Sequence, residues 1–444
     1  MSTRLRRPRH RHARGLALAL CLGASACSVS DDAAGADAAG SVGERPVLES
    51  CEPTPERCDG LGEARPGRLS EHAAGHDPER GELIVVGGSP SIPAMCAPGG
   101  PVKYLDETWI YDEVCNAWTR VEGPGPSPSG RHMAAFGDGS LWLFGGRFRE
   151  PDAQSSRFEL YDDLFRFDNS ERRWHNVEAS GERPSPRVNG AMAWDDKRKR
   201  LWLFGGNASD DGLLYEALAD LYSFDPEDGS WRRHQPSEGL PPARLFASAL
   251  YDRKRDALVV YGGADESAFD FAASYFADLW SLDLETLSWT RLHRGNGDGN
   301  APEGRFWAGL VHDETRDRYL LFGGHDDQAL GNRNDTWSFD PESEQWQLLS
   351  SGDEWNTPAL DVCLFPPDFT VVDHQSPERR SSHTLHYSRS CDRALLFGGK
   401  TDCGSIDDLW AHDGDGWQPL LEATEGEACL RWRDDGADCS DMCF

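Results

Sequence analysis

Apolar positions along this chain gather in short runs of four or five residues, without the three-and-four spacing of an amphipathic helix. Six of these runs end in a glycine doublet: "LIVVGG", "LWLFGG" twice, "LVVYGG", "YLLFGG" and "LLFGG". The runs are β-branched and aromatic, do not alternate with polar residues, and are bounded by turn signals, which predicts strands buried on both faces. The doublets stand at Gly87-Gly88, Gly145-Gly146, Gly205-Gly206, Gly262-Gly263, Gly323-Gly324 and Gly398-Gly399, so successive spacings are 58, 60, 57, 61 and 75 residues. A near-fixed period of this length marks a repeated unit. Adjacent glycines suit a backbone that must turn with positive φ or pack closely against a neighbour.

Each doublet is followed by an aromatic residue and then a tryptophan: Trp109 and Trp118, Phe165 and Trp174, Tyr222 and Trp231, Trp280 and Trp289, Trp337 and Trp346, Trp410 and Trp417. Turn chemistry such as "DPEDGS" between them predicts a hairpin. Upstream of each doublet lies P-x-x-R, at Pro128 to Arg131, Pro184 to Arg187, Pro241 to Arg244, Pro302 to Arg305 and Pro377 to Arg380, followed by a small-residue strand such as "NGAMAW". The unit therefore holds four strands. The first copy departs, with Leu69 where the arginine belongs and Arg68 one position early. In the second, "FGDGS" reads as a strand connection four residues shorter than the others.

Six units with glycine doublet, aromatic and tryptophan in fixed order resemble the kelch repeat over roughly residues 64–420. The resemblance implies an all-β fold, a six-bladed β-propeller of four-stranded blades, in which each blade covers its neighbour and the tryptophans fill the space between them. It also implies that Arg131, Arg187, Arg244, Arg305 and Arg380 lie near the central channel on the ligand-receiving face. Converging there, they would suit carboxylates or acidic peptides. The alternative is that each pairs with the aspartate two residues before the aromatic (Asp163, Asp220, Asp278, Asp335, Asp408). Strict repetition favours that alternative, because sites tend to break repeat symmetry.

Kelch propellers include enzymes, among them galactose oxidase and sialic-acid mutarotases, but most bind proteins. No segment reproduces the copper ligands of galactose oxidase, and P-loop, G-x-S-x-G and H-E-x-x-H motifs are absent from the sequence. The expected function is a binding scaffold without catalysis, taking a protein or an acidic or carbohydrate ligand and acting as a monomer. A carbohydrate-active or oxidative enzyme on the same ring is the rival reading. No cofactor or metal is expected. His383 and His386 would point to opposite faces of a strand, and "CSDMC" with Cys429 matches no zinc spacing. Calcium remains open at the Asp-rich loops Gly295 to Asn300 and Asn207 to Gly212. Specificity is expected in the unrepeated loops after the doublets and in the insertion Leu348 to Pro377, which holds Trp355, Phe365 and Phe369.

Residues 1–26 read as an export signal: six arginines, the apolar "GLALALCLG", and Ala24-Ser25-Ala26 before Cys27. "ASAC" also resembles a bacterial lipobox, which implies acylation of Cys27. The expected organisation is signal (1–26), lipidated Cys27 and tether (27–63), propeller (64–420) and Cys-rich tail (421–444). The protein is then exported and held at the cell envelope, as an outer-membrane lipoprotein or on the cell surface, with the membrane met only through the lipid. Removing the signal arginines takes the formal charge from -31 to -37, which argues against nucleic acid. Cysteines are absent between Cys115 and Cys363. The ten others, Cys51, Cys58, Cys96, Cys115, Cys363, Cys391, Cys403, Cys429, Cys439 and Cys443, are therefore expected to form disulfides stapling the seam between first and last blades. Either "RPVLESCEP" or "EACLRWRDD" could add an edge strand there.

Overall fold

A computed structural model of the chain describes residues 51–62, 64–90, 102–151, 157–210, 215–236, 239–268, 273–295, 299–326, 331–356, 370–402 and 404–424. The repeats fold as expected into a six-bladed β-propeller, each blade four antiparallel strands from one contiguous stretch, with the two-residue strand Ser180–Gly181 added in parallel to the outer edge of blade three. Blade one comprises Ala73–Asp77, Glu82–Val86, Thr108–Asp112 and Ala117–Arg120; blade six comprises Thr384–Ser388, Arg393–Phe397, Leu409–His412 and Trp417–Leu421. Blades two to five begin with the inner strands Met133–Gly137, Ala191–Asp195, Ser248–Asp252 and Gly309–Asp313. These inner strands lie side by side around the axis, and the ring closes where Ala73–Asp77 meets Thr384–Ser388. Because blades one and six each supply their own four strands, the described ring closes without a strand from either flanking segment. Those two segments lie almost wholly outside the described residues. Small side chains on the inner strands leave a channel cavity of about 200 Å³, lined by Ala134, Ala193, Ala249, Val311, Leu385 and His386 among others. Among the described residues no helix is long and apolar enough to cross a membrane.

The doublets explain how the blades lock. The N–H of each second glycine donates to a carbonyl of the next blade: Gly88 to Ser129, Gly146 to Arg187, Gly206 to Arg244, Gly263 to Arg305, Gly324 to Arg380 and, across the seam, Gly399 to Leu69, all at 2.9 to 3.1 Å. A Cβ on each first glycine would fall within 2.9 Å of that same carbonyl oxygen. All twelve glycines have positive φ, a backbone region open to glycine but costly for other residues. Just before five of the doublets, the closing aromatic of the run meets the tryptophan of the following blade, with ring centroids 5.2 Å apart for Phe144 and Trp231, 5.1 Å for Phe204 and Trp289, and 4.8 Å for Phe322 and Trp417; in blade one Val86 holds that place. These pairs sit in apolar clusters that each span two blades, so no blade buries its faces alone.

This ring of bonds corrects one sequence alignment. Leu69, Ser129, Arg187, Arg244, Arg305 and Arg380 hold equivalent places, so Arg131 lies two residues beyond the repeated arginine position. The cause is a turn. The inner hairpin of blade two is joined by Asp138 and Gly139 alone, whereas the same hairpin elsewhere has four connecting residues. The connection is thus two residues shorter, not four.

Two of the expected disulfides are formed, Cys51 to Cys391 and Cys58 to Cys115. Cys96, Cys363, Cys403, Cys429, Cys439 and Cys443 lie outside the described residues, as do Cys27, the signal, Phe365 and Phe369.

Candidate functional site at the mouth of the central channel

Four of the five arginines singled out in the sequence are fully committed inside their own blades. Arg187, Arg244 and Arg305 each fork onto one aspartate: Asp220 at 2.6 and 3.0 Å, Asp278 at 2.8 and 3.1 Å, and Asp335 at 2.5 and 2.8 Å. Arg380 does the same with Asp408, its Nη2 at 2.7 Å. In each, Nη1 also donates to the carbonyl of the first doublet glycine, at 2.9 to 3.1 Å. With at most 1% of each residue exposed, these arginines offer no free face to a ligand. They tie the loop entering each blade to that blade's third strand.

Arg131 differs. Two residues beyond the repeated arginine place, each blade carries a non-glycine residue in the left-handed region: Glu71, Arg131, Asn189, Phe246, Trp307 and Ser382, with φ between +52° and +62°. Such backbone is uncommon outside glycine and is held here by its surroundings. The N–H groups of Arg131, Asn189, Phe246 and Trp307 donate to the carbonyls of Glu71, Arg131, Asn189 and Phe246, at 2.9, 3.4, 2.8 and 3.1 Å. The six residues therefore form a collar around the axis, on the face that carries the glycine doublets.

The collar is asymmetric. Arg131 of blade two reaches towards the opposite side of the ring, its guanidinium carbon 4.6 Å from the centre of the Trp307 indole of blade five and 5.8 Å from the Phe246 ring of blade four. Cation–π stacking holds a guanidinium in place without using its N–H groups. Nη2 donates to Glu71 at 2.6 Å, and Arg147 reaches the same carboxylate at 3.3 Å. Burial alone would raise the Glu71 pKa, but Arg131 and Arg147 overcome it and hold the carboxyl at about 2. Blades three to five supply an aromatic wall, with Phe246 and Trp307 at 4.4 Å, Tyr215 and Phe246 at 5.8 Å, and Tyr275 stacked on Phe306 at 5.4 Å.

Within this collar several buried polar atoms have no partner among the described residues: Nε and Nη1 of Arg131, Nδ2 of Asn189 and Oγ of Ser382. Asn189 is 7% and Ser382 9% exposed. Buried polar groups are normally satisfied, so a set of unmatched donors on one collar describes a place for an acceptor-rich group. Sequence reading reached Arg131 for its likeness to the repeated arginines and missed the other five. No sequence signal marks them: the column sixteen residues before each doublet reads Glu71, Ser129, Asn189, Phe246, Trp307 and Ser382, so the shortened hairpin drops Arg131 from it, and the neighbouring columns vary as much.

The histidines set aside as structural are packed between blades. His72 bonds Thr384 across the seam at 3.1 Å, and His383 lies edge-on to Phe322 at 5.5 Å. Of the calcium candidates, Asn207 spends its side-chain oxygen on the N–H groups of Ser209 and Glu216; parts of both loops lie outside the described residues. Trp355 is exposed, on a two-residue strand paired with Thr370–Val371.

Four-stranded blades locked by glycine doublets, with an unsymmetrical collar at the axis, define a propeller of the kelch kind. The family model for the KLHDC2/KLHL20/DRC7 kelch-repeats domain matches residues 58–199 and 152–363, and the chain belongs to this kelch-repeat family. Host cell factor 1 of Rattus norvegicus is 30% identical over 230 residues, 47% of this chain and 10% of that protein. A leucine-zipper-like transcriptional regulator 1 homolog of Drosophila melanogaster is 26% identical over 297 residues, 64% of this chain and 26% of the relative. The N-(sulfonatooxy)prop-2-enimidothioate sulfolyase of Thlaspi arvense is 26% identical over 245 residues, 52% of this chain and 65% of the enzyme. The chain thus spans about a tenth to two thirds of the length of these relatives.

Proposed function

We propose that this propeller is a binding module that captures a carboxylate-bearing segment of a protein partner at the collar of its channel. The observation that carries the reading is the set of unmatched buried donors on Arg131, Asn189 and Ser382. A carboxylate has acceptor capacity for all three, and charge-assisted bonds to a planar guanidinium are strong and directional. The half-buried Trp307 ring would cover the apolar part of the same segment. Because Asn189 and Ser382 are buried, the group that reaches them is a tip: an Asp or Glu side chain or a chain terminus.

The reading extends to location. The arginine-rich, apolar N-terminus and Cys27 support export and lipid anchoring at a cell envelope, and the cystines suit an oxidising compartment. A peptide array displaying acidic and neutral sequences, with free and amidated C-termini, tests the binding reading. Wild type is expected to retain acidic or free-carboxylate peptides, and Arg131→Ala to lose them while staying folded. Retention indifferent to carboxylates would overturn it. The rival, an enzyme on the same ring, has its support in the sulfolyase relative, and turnover of an anionic small molecule that depends on Arg131 would favour it.

A further inference from the structure

Five of the six blade interfaces are crossed by the polypeptide as it passes from one blade to the next; the seam between blades six and one is not. Among the described residues, blade-to-blade contacts there are non-covalent: Leu69, Leu83 and Trp118 against Leu395, Phe397 and Leu409, Ser388 donating to Glu113 at 2.7 Å, and Arg393 donating to the Glu113 carbonyl at 2.8 Å. The segment from Cys51 to Cys58 spans this break. Cys51 is bonded to Cys391, in the turn joining the two inner strands of blade six. Cys58, ending the short helix Pro55–Cys58, is bonded to Cys115, in the turn between the two outer strands of blade one. Arg57 adds an ion pair to Asp112 of blade one at 3.0 Å.

We infer that residues 51–58 form a two-bolt latch that holds the ring closed, and that its two cystines do unequal work. Of these two cystines among the described residues, Cys51–Cys391 is the one that crosses the seam. Cys58–Cys115 lies wholly on the blade-one side and acts at the seam only by shortening the tether that Cys51 pulls on. With it, Cys51 is held covalently to blade one through seven residue steps; without it, through the 22 steps leading to Ala73. Shorter tethers constrain their ends more strongly. The collar straddles the same seam, Glu71 on blade one and Ser382 on blade six, so opening the latch loosens the mouth. The inference stands whether or not the collar takes a carboxylate.

Reduction supplies the simplest perturbation. A dithiol reduces each cystine to two thiols and is itself oxidised to a disulfide, two electrons and two protons passing per bond. Hydrogen exchange read by mass spectrometry is expected to rise about tenfold or more in the seam strands Ala73–Asp77 and Thr384–Ser388, and to stay unchanged in the mid-ring strands Ala191–Asp195 and Arg200–Asn207. A uniform rise, or none, overturns the latch. Paired serine variants then separate the bolts. C51S/C391S is expected to reproduce the full rise, C58S/C115S a smaller one, and the quadruple variant no more than C51S/C391S. Additive effects in the quadruple variant would show two independent staples and refute the unequal roles.

Discussion

Asp335→Ala should cost more than any surface substitution on this protein, because it strands a buried cation. In the folded chain Asp335 accepts from Arg305 at 2.5 and 2.8 Å and from the Trp337 indole N–H at 2.8 Å. The Arg305 side chain is 0% exposed, so water cannot replace the lost carboxylate. Among the described residues, only the Gly323 and Glu303 carbonyls, each at 3.0 Å, remain on the guanidinium. Removing one partner of a buried pair costs about 3–5 kcal/mol. An unfolding entropy of about 2.1 cal/mol/K per residue over a ring of about 350 residues makes 4 kcal/mol equal to a Tm drop of about 5 °C. Differential scanning calorimetry with a rescan for reversibility reads this directly. Asp335→Asn, which can still accept from Trp337 but not neutralise Arg305, should fall between the alanine variant and wild type. Glu71→Ala, at the partly open collar, should shift Tm by less than half as much. A drop below about 1 °C for Asp335→Ala, or any rise, would mean the Arg305 pair is not what holds the third strand to the loop entering the blade.

Acid should destabilise the ring well above the carboxylate range. Burial lowers the pKa of His72 and His386 to about 3 and of His132 and His412 to about 4. The unfolded chain therefore takes up these protons first, and stability present above pH 6.5 is lost as pH falls, at about 1.4 kcal/mol per pH unit for each histidine. The urea midpoint should fall between pH 7 and 5, and a flat profile would refute the burial argument. Below about pH 4.5 the loss should steepen as Glu71 and Glu113, both held at about 2, begin to separate from their unfolded values. Gly262→Ala, at φ +66° with its Cβ 2.6 Å from the Arg305 carbonyl oxygen, should cost about 3 kcal/mol or more. Gly229→Ala, at the same φ with nothing within 4 Å, should cost only the left-handed strain of about 1 kcal/mol; equal losses would show that the doublet does not serve close approach.

Much of the frame was legible because it is local. A run such as "LWLFGG" states in six residues both a doubly buried strand and the glycines that let the next blade's carbonyl come close. The pairing of Arg187, Arg244, Arg305 and Arg380 with their aspartates was readable too, because both partners recur at fixed offsets. The collar was not readable for two physical reasons. Its residues are about sixty positions apart and meet only because the ring closes. The one member singled out, Arg131, entered on a false alignment: Pro128-x-x-Arg131 matches the repeated motif, but the shortened hairpin accounts for only two of the four residues this match requires, and its true equivalents are Glu71, Asn189, Phe246, Trp307 and Ser382.

The collar's backbone bonds do not involve its side chains, so that position can change chemistry while the frame stands, and stability and binding should come apart there. Ser382 is the sharpest case. It sits at φ +52°, which costs a non-glycine residue about 1 kcal/mol, and its hydroxyl is buried without a partner, which costs about 1–3 kcal/mol. Ser382→Gly removes both costs and returns up to about 1 kcal/mol as extra freedom of the unfolded chain. The net is a gain of about 1–3 kcal/mol, a Tm rise of about 1–4 °C by the same entropy per residue. If the collar holds an acceptor-rich ligand, the same variant should bind it more weakly, because the donor that was costly in the free protein is matched only in the complex. A fall in Tm would show that the hydroxyl serves the fold. A rise in Tm with binding intact would show that Ser382 is not part of the site.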